Sequence, residues 1–142
     1  MKTLKSMLTG IALLFVCVAA NATVKSVTKD KPTKTDVVNM YIDAIAHGKT
    51  STLENILDTD FQFNVKRGDN VNTLTKDQLI ASLKNTSIDN TAVTTTITEV
   101  SDDDDASIVK VDFKYADYTR TDVITLSKSG GWNITKVVTS SK

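Results

Sequence analysis

Between Asp36 and Phe63 the chain reads DVVNMYIDAIAHGKTSTLENILDTDFQF, and its hydrophobic period changes partway along. Val37, Val38, Tyr41, Ile42 and Ile45 recur at helical spacing, so they form one apolar stripe on a first helix. Thr35 or Asp36 can cap its free N–H groups, and Gly48 supplies a left-handed stop. Ser51 and Glu54 have the S-x-x-E spacing of a capping box for a short second helix. Leu53, Ile56 and Leu57 are its buried side, and Asp58-Thr59-Asp60 is read as a turn. Phe61, Phe63 and Val65 then alternate with Gln62 and Asn64, the pattern of a half-buried strand. A helix pair feeding a strand leaves two apolar surfaces, each of which needs the other as cover.

The rest of the chain supplies that cover. Lys66 to Thr73 carries the turn signals Gly68-Asp69-Asn70. Thr75 and Gln78 form a second capping box, and Leu79, Ile80 and Leu83 are the apolar side of a third helix that frays by Asn85. From Ala92 onward the period is two. Val93 to Val100 is Thr-rich and β-branched, and Ser101 to Ala106 turns it. Val109, Val111, Phe113 and Tyr115 alternate with charged residues. A turn at Ala116-Asp117 leads into a strand from Tyr118 to Lys128, with Ile124 and Leu126 on one face. Ser129-Gly130-Gly131 makes a tight hairpin. Trp132, Ile134 and Val138 are expected to share a face of the last strand. The expectation is an α+β domain over residues 36–142, in which a curved antiparallel sheet wraps the helices as a half-cone.

The N-terminus reads differently. Lys2 and Lys5 precede the apolar run Ile11 to Ala20, and Ala20-Asn21-Ala22 has the A-x-A form of a cleavage site. Residues 1–22 are therefore expected to be a signal peptide, and residues 23–35 a flexible leader. The expected location is exported, periplasmic or extracellular. No second apolar run is long enough to span a bilayer. Cys17 is the only cysteine and lies inside the signal, so neither a disulfide nor a thiol nucleophile is expected in the mature chain. Lys+Arg and Asp+Glu number 17 each, and no basic cluster lies beyond the N-terminus, which argues against a nucleic-acid partner.

The run from Tyr41 to Phe63, Y-I-D-A-I-x-x-G-x-x-x-x-L-x-x-I-L-x-x-D-F-x-F, resembles the opening of the nuclear-transport-factor-2-like superfamily. That superfamily includes ketosteroid-isomerase-like and polyketide-cyclase (SnoaL-like) groups. The C-terminal half, with Tyr115, Asp117, Tyr118, Thr121-Asp122-Val123-Ile124, Leu126, Gly131, Trp132 and Ile134, is similar to the exported bacterial subgroup called putative lumazine-binding. The resemblance implies a cystatin-like half-cone with a pocket between sheet and helices. Its isomerase branch implies an oxyanion-holding tyrosine at Tyr41 and an acid partner near Asp122. It also implies a catalytic carboxylate on the first strand; counted with no gap before Gly68, that position falls on Val65, which cannot abstract a proton.

The expected function is an exported, non-catalytic domain that binds a small apolar or planar ligand or a partner. The alternative is a SnoaL-like or isomerase-like enzyme acting on a small hydrophobic substrate, with Tyr41 and Asp122 as weak catalytic candidates and Asp112 as a further carboxylate. Candidate ligand contacts are Tyr41, Phe61, Phe63, Phe113, Tyr115 and Trp132, all of which also suit a core. No cofactor motif is present. His47, the only histidine, cannot build a zinc site alone. Asp102 to Asp105 lacks the spacing of a calcium loop and reads as a solvated hairpin. A homodimer is expected to use the convex sheet face, where Thr94, Thr96 and Thr98 with Thr121, Val123 and Thr125 make a Thr-rich patch.

Overall fold

A computed structural model describes residues 31–86 and 92–142. The expected signal peptide and most of the leader lie outside the described residues. The elements run α1 (Lys34–His47), a 3-10 turn (Thr50–Thr52), α2 (Leu53–Ile56), β1 (Leu57–Arg67), β2 (Asn70–Thr75), α3 (Lys76–Asn85), β3 (Thr94–Asp102), β4 (Ala106–Lys114), β5 (Thr119–Lys128) and β6 (Trp132–Ser141).

Helix α1 begins slightly before the expected start. Thr33 is its cap: the Thr33 hydroxyl accepts the Asp36 N–H at 3.2 Å, and the Asp36 carboxylate accepts the Thr33 N–H at 2.9 Å. The helix ends at Gly48, whose φ of 70° sits in the left-handed region that glycine tolerates best. The expected capping box at Ser51 does not form. The Thr50 N–H closes back on the Gly48 carbonyl at 2.9 Å, which winds Ser51 into the 3-10 turn. An N-cap needs extended backbone, so α2 starts with no side-chain cap. The capping box of α3 is present, with Thr75 and Gln78 bonded reciprocally.

Asp58 to Asp60, expected as a turn, lie within β1. The Asp58 carboxylate accepts the Asp60 N–H at 2.9 Å, and the pairing with β6 shifts register between Leu57 and Gln62. A further difference is β2. The segment Lys66 to Thr73 was expected to be a turn, but only Gly68-Asp69 connects β1 to β2. β2 is an edge strand with Val71 exposed and Leu74 half-buried, so it carries no apolar alternation to announce it.

The sheet order is β2-β1-β6-β5-β4-β3. Four of the five pairings are antiparallel, but β1 and β6 run parallel, so the sheet is mixed rather than wholly antiparallel. The chain's first and last strands are interior neighbours in the sheet, and parallel pairing of these two requires the long excursion through β2 to β5. The class is α+β, and the curved sheet covers the helices on one side. Val37, Tyr41 and Ile45 of α1, with Leu53 and Ile56, pack on Phe61 and Phe63 of β1, Val111 and Phe113 of β4, Ile124 and Leu126 of β5, and Ile134 and Val137 of β6. Full burial of a side chain as large as Phe113 contributes on the order of 2 kcal/mol.

A bulge in β6 sets the inward row. Thr125 pairs with Lys136 but Leu126 pairs with Ile134, leaving Thr135 as the extra residue. Beyond it Val137 and Thr139 turn inward, and Val138 faces outward, contrary to the alternation expected from Ile134. On the convex face β4 lies between β3 and β5. Asp112 therefore separates Thr96 from Thr121, and Lys110 separates Thr98 from Val123, so the Thr-rich patch is divided by a charged strand. β3 is exposed along its whole length, because no described helix reaches it with more than its N-terminal edge.

The two capping sites should behave differently. Thr75→Ala is expected to lower stability by about 1 kcal/mol, while Ser51→Ala should leave it nearly unchanged. Urea denaturation followed by far-UV circular dichroism compares them, and equal losses would contradict the cap assignments.

Candidate functional site

The inward face of β5 carries two charged residues two positions apart. A spacing of two on a strand puts both side chains on one face, so Arg120 and Asp122 both point into the cone. Asp122 is fully buried. It accepts the Arg120 Nε–H on Oδ1 and an Nη2–H on Oδ2, each at 2.8 Å. Tyr41, also fully buried, donates its hydroxyl to Oδ2 at 2.6 Å from α1. The cluster thus ties the first helix to the fifth strand, 81 residues later. The Arg120 guanidinium lies over the rings of Phe63 and Phe113, at 5.6 and 5.7 Å from their centroids.

The electrostatics follow from burial and mutual contact. Burial, and then the Asp122 charge, push the Tyr41 phenol well above the usual tyrosine range. Burial also opposes the Arg120 charge, but Tyr41 and Asp122 outweigh it and hold the guanidinium above its ordinary value. No buried side-chain polar atom among the described residues lacks a partner. A buried charge pair satisfied in this way is costly to break from either side.

Arg120 forms part of the wall of a cavity of about 590 Å³ between α1, α3, β1, β2 and the β4–β5 turn. Phe63, Val65, Leu79, Leu83 and Tyr115 supply its apolar surface. At the turn, Tyr115 and Tyr118 stack with centroids 4.6 Å apart and rings 15° from parallel. Two of the five guanidinium N–H groups go to Asp122, which leaves three for other acceptors. The wall therefore joins an apolar body to one fixed, directional cation.

Among the expected ligand contacts, Phe63 and Tyr115 line this cavity. Tyr41, Phe61 and Phe113 are core residues; Tyr41 and Phe113 reach the site only through Asp122 and Arg120. Trp132 stands apart from the lining, with the ammonium groups of Lys34 and Lys128 at 5.9 and 6.0 Å from its ring centre. Asp112 faces outward, accepting the Thr121 hydroxyl at 2.6 Å. His47 is exposed at the end of α1. Asp102 pairs with Lys34, which also contacts Glu99 at 2.6 Å, and Asp103 to Asp105 form the β3–β4 loop. Val65 does lie in the cavity wall, at the place where the isomerase resemblance called for a carboxylate. Arg120 is the residue that the sequence reading passed over. Its signal was the R-T-D spacing, which puts a cation beside an acid already suspected of facing inward.

This architecture defines a class of protein. The chain aligns with a nuclear-transport-factor-2-like protein of unknown function from Silicibacter pomeroyi DSS-3 at a TM-score of 0.65 and 22% identity, covering 76% of this chain and 92% of the other. A similar protein from Shewanella baltica OS155 aligns at 0.67 and 13%, covering 76% and 90%. A cystatin-like fold protein from Burkholderia xenovorans LB400 aligns at 0.59 and 11%, covering 73% and 84%. These likenesses show a shared fold. Within that class, the chain belongs to the family described as "Putative lumazine-binding", whose model matches residues 29–138. No curated protein matches the chain. Among the described residues no helix is long and apolar enough to cross a membrane.

The raised Tyr41 pKa fixes the sign of an alkaline effect. Its stabilising contribution is fully present below the unfolded tyrosine value, about pH 10, and is lost as pH rises through the folded value. Above pH 10 the urea midpoint of the natural protein should therefore fall more steeply than that of Tyr41→Phe. At neutral pH the variant should be less stable by about 1–3 kcal/mol, because one Asp122 bond is lost. Parallel pH curves would contradict this.

Proposed function

We propose that the cavity beside Arg120 binds a small molecule with a planar or apolar body and a hydrogen-bond acceptor, and that it does so without catalysis. The observation that carries this reading is Arg120, held by Asp122 and Tyr41 at a wall to which Phe63, Val65, Leu79 and Leu83 give a largely apolar surface. The volume, about 590 Å³, is in the range of small-molecule sites. The family description points the same way, to a small heterocyclic ligand. A catalytic reading needs a carboxylate with a free lone pair beside the substrate. Val65 stands at the expected position, the Asp122 oxygens accept three hydrogen bonds from Tyr41 and Arg120, and the one acidic lining residue, Asp117, is exposed in the β4–β5 turn. The isomerase alternative therefore has less support than binding.

Two further proposals stay with this reading. Export rests on the character of residues 1–22. A homodimer through the convex face would bring Val123 and the neighbouring Val138 of two copies together, across the charged β4 row; light scattering at rising concentration tests it, and a persistent monomer counts against it.

The binding proposal is tested with N-phenyl-1-naphthylamine, a neutral planar fluorophore. Saturable fluorescence enhancement is expected, and Leu83→Trp, which fills the cavity from α3, should weaken it about tenfold or more, equivalent to ~1.4 kcal/mol. Absence of saturable binding, or binding indifferent to Leu83→Trp, would sink the proposal.

A further inference from the structure

We propose that the ligand of this cavity is an anion, an apolar or planar body carrying a carboxylate, sulfonate or phosphate group, and that the charged group sits in a basic cleft continuous with the cavity. The inference rests on the small-ligand reading above and adds the chemical class.

The cleft has a volume of about 750 Å³ and lies at the end of β1 and β6. It shares Phe63, Val65, Tyr118 and Arg120 with the cavity, so the two spaces meet at the Arg120 side chain. Lys66 and Arg67 line it from β1, and Ser140 and Ser141 from β6. None of its lining residues is Asp or Glu. Lys142 lines it as well. Lys66 and Arg67 are exposed, and neither is paired with a carboxylate among the described residues.

This clustering is not a consequence of basic composition, because the chain has 17 residues of each sign. Acidic residues gather elsewhere: Glu99 and Asp102 to Asp105 lie on β3 and the loop after it, and Glu99 and Asp102 are matched there with Lys34. Near the cavity the one acidic lining residue is Asp117, in the β4–β5 turn. The charge of Arg120 is balanced by Asp122, so Arg120 supplies directed N–H donors rather than net attraction. Net attraction comes from Lys66 and Arg67, whose charges have no such counterweight. A ligand whose ring contacts Phe63, Leu79 and Tyr115 would place a terminal anion among these donors, with the Ser141 hydroxyl, paired opposite Arg120 on the same face, at hand to complete its shell.

Two fluorophores with the same ring system test this: N-phenyl-1-naphthylamine is neutral, and 8-anilinonaphthalene-1-sulfonate adds one sulfonate. At low ionic strength the sulfonate is expected to bind about tenfold tighter, a preference that shrinks in ~0.5 M salt as screening shortens the reach of the lysine and arginine charges. In Lys66→Gln/Arg67→Gln the ratio of the two affinities should fall toward one, with the urea midpoint confirming that the variant is folded. Equal affinities, or a ratio that survives the double substitution, overturn the anionic inference while leaving the small-ligand reading standing. Sulfonate binding that persists in Leu83→Trp lies elsewhere on the protein and also overturns it. Failure of both probes overturns the inference together with the reading it rests on.

Discussion

The contact on which the site depends is the bond between the Asp122 carboxylate, the Arg120 guanidinium and the Tyr41 hydroxyl. A charged carboxylate with no exposure to solvent is tolerated only when its oxygens are occupied by donors. Tyr41 and Arg120 come from opposite layers, so meeting that requirement fixes α1 against β5. It also fixes the direction of Arg120, whose guanidinium lies over the rings of Phe63 and Phe113. A long cationic side chain that would otherwise sample many rotamers is placed at the wall of a cavity.

The surrounding sheet is arranged to leave that wall open. Val65, Thr139, Asp122 and Val111 form one row across four strands, and Phe63, Val137, Ile124 and Val109 form the next. The second row is filled by core side chains; the first contains the buried polar residues Asp122 and Thr139 and ends at the cavity. The β6 bulge at Thr135 brings both Val137 and Thr139 into these rows. Without that extra residue the outer half of β6 would present Val138 and Ser140 inward instead.

Much of the fold was legible in local signals. The apolar stripe of α1, the Gly48 stop, the Thr75 box and the alternation of β4 each report a short-range preference, and each has its counterpart in the structure. What was not legible depends on partners distant in sequence. β2 has little apolar surface, and its pairing with β1 is what orders it. The parallel β1–β6 pairing follows from topology, which no window of ten residues contains. The Ser51 box had the right residues but the wrong backbone, because the preceding Gly48 turn had already wound the chain. At the site, Tyr41 and Asp122 were visible as candidates through the family resemblance, whereas Arg120 needed the strand register to show that it shares their face. Phe61, Phe113 and Trp132 were singled out as aromatics on or beside strands, which does not separate a pocket wall from a core.

The central claim is that Arg120 and Asp122 act as a unit, each present because the other is. A double-mutant cycle measures this directly. Stabilities from urea denaturation would be compared for the natural protein, Arg120→Met, Asp122→Leu and the combined variant. Each single change leaves a charge buried without its partner, and the combined change removes both charges, so the double variant should be more stable than the sum of the single losses predicts, by about 2 kcal/mol or more. Losses that add to within ~0.5 kcal/mol would show that the two residues contribute independently, and would contradict the account of how this cavity is built.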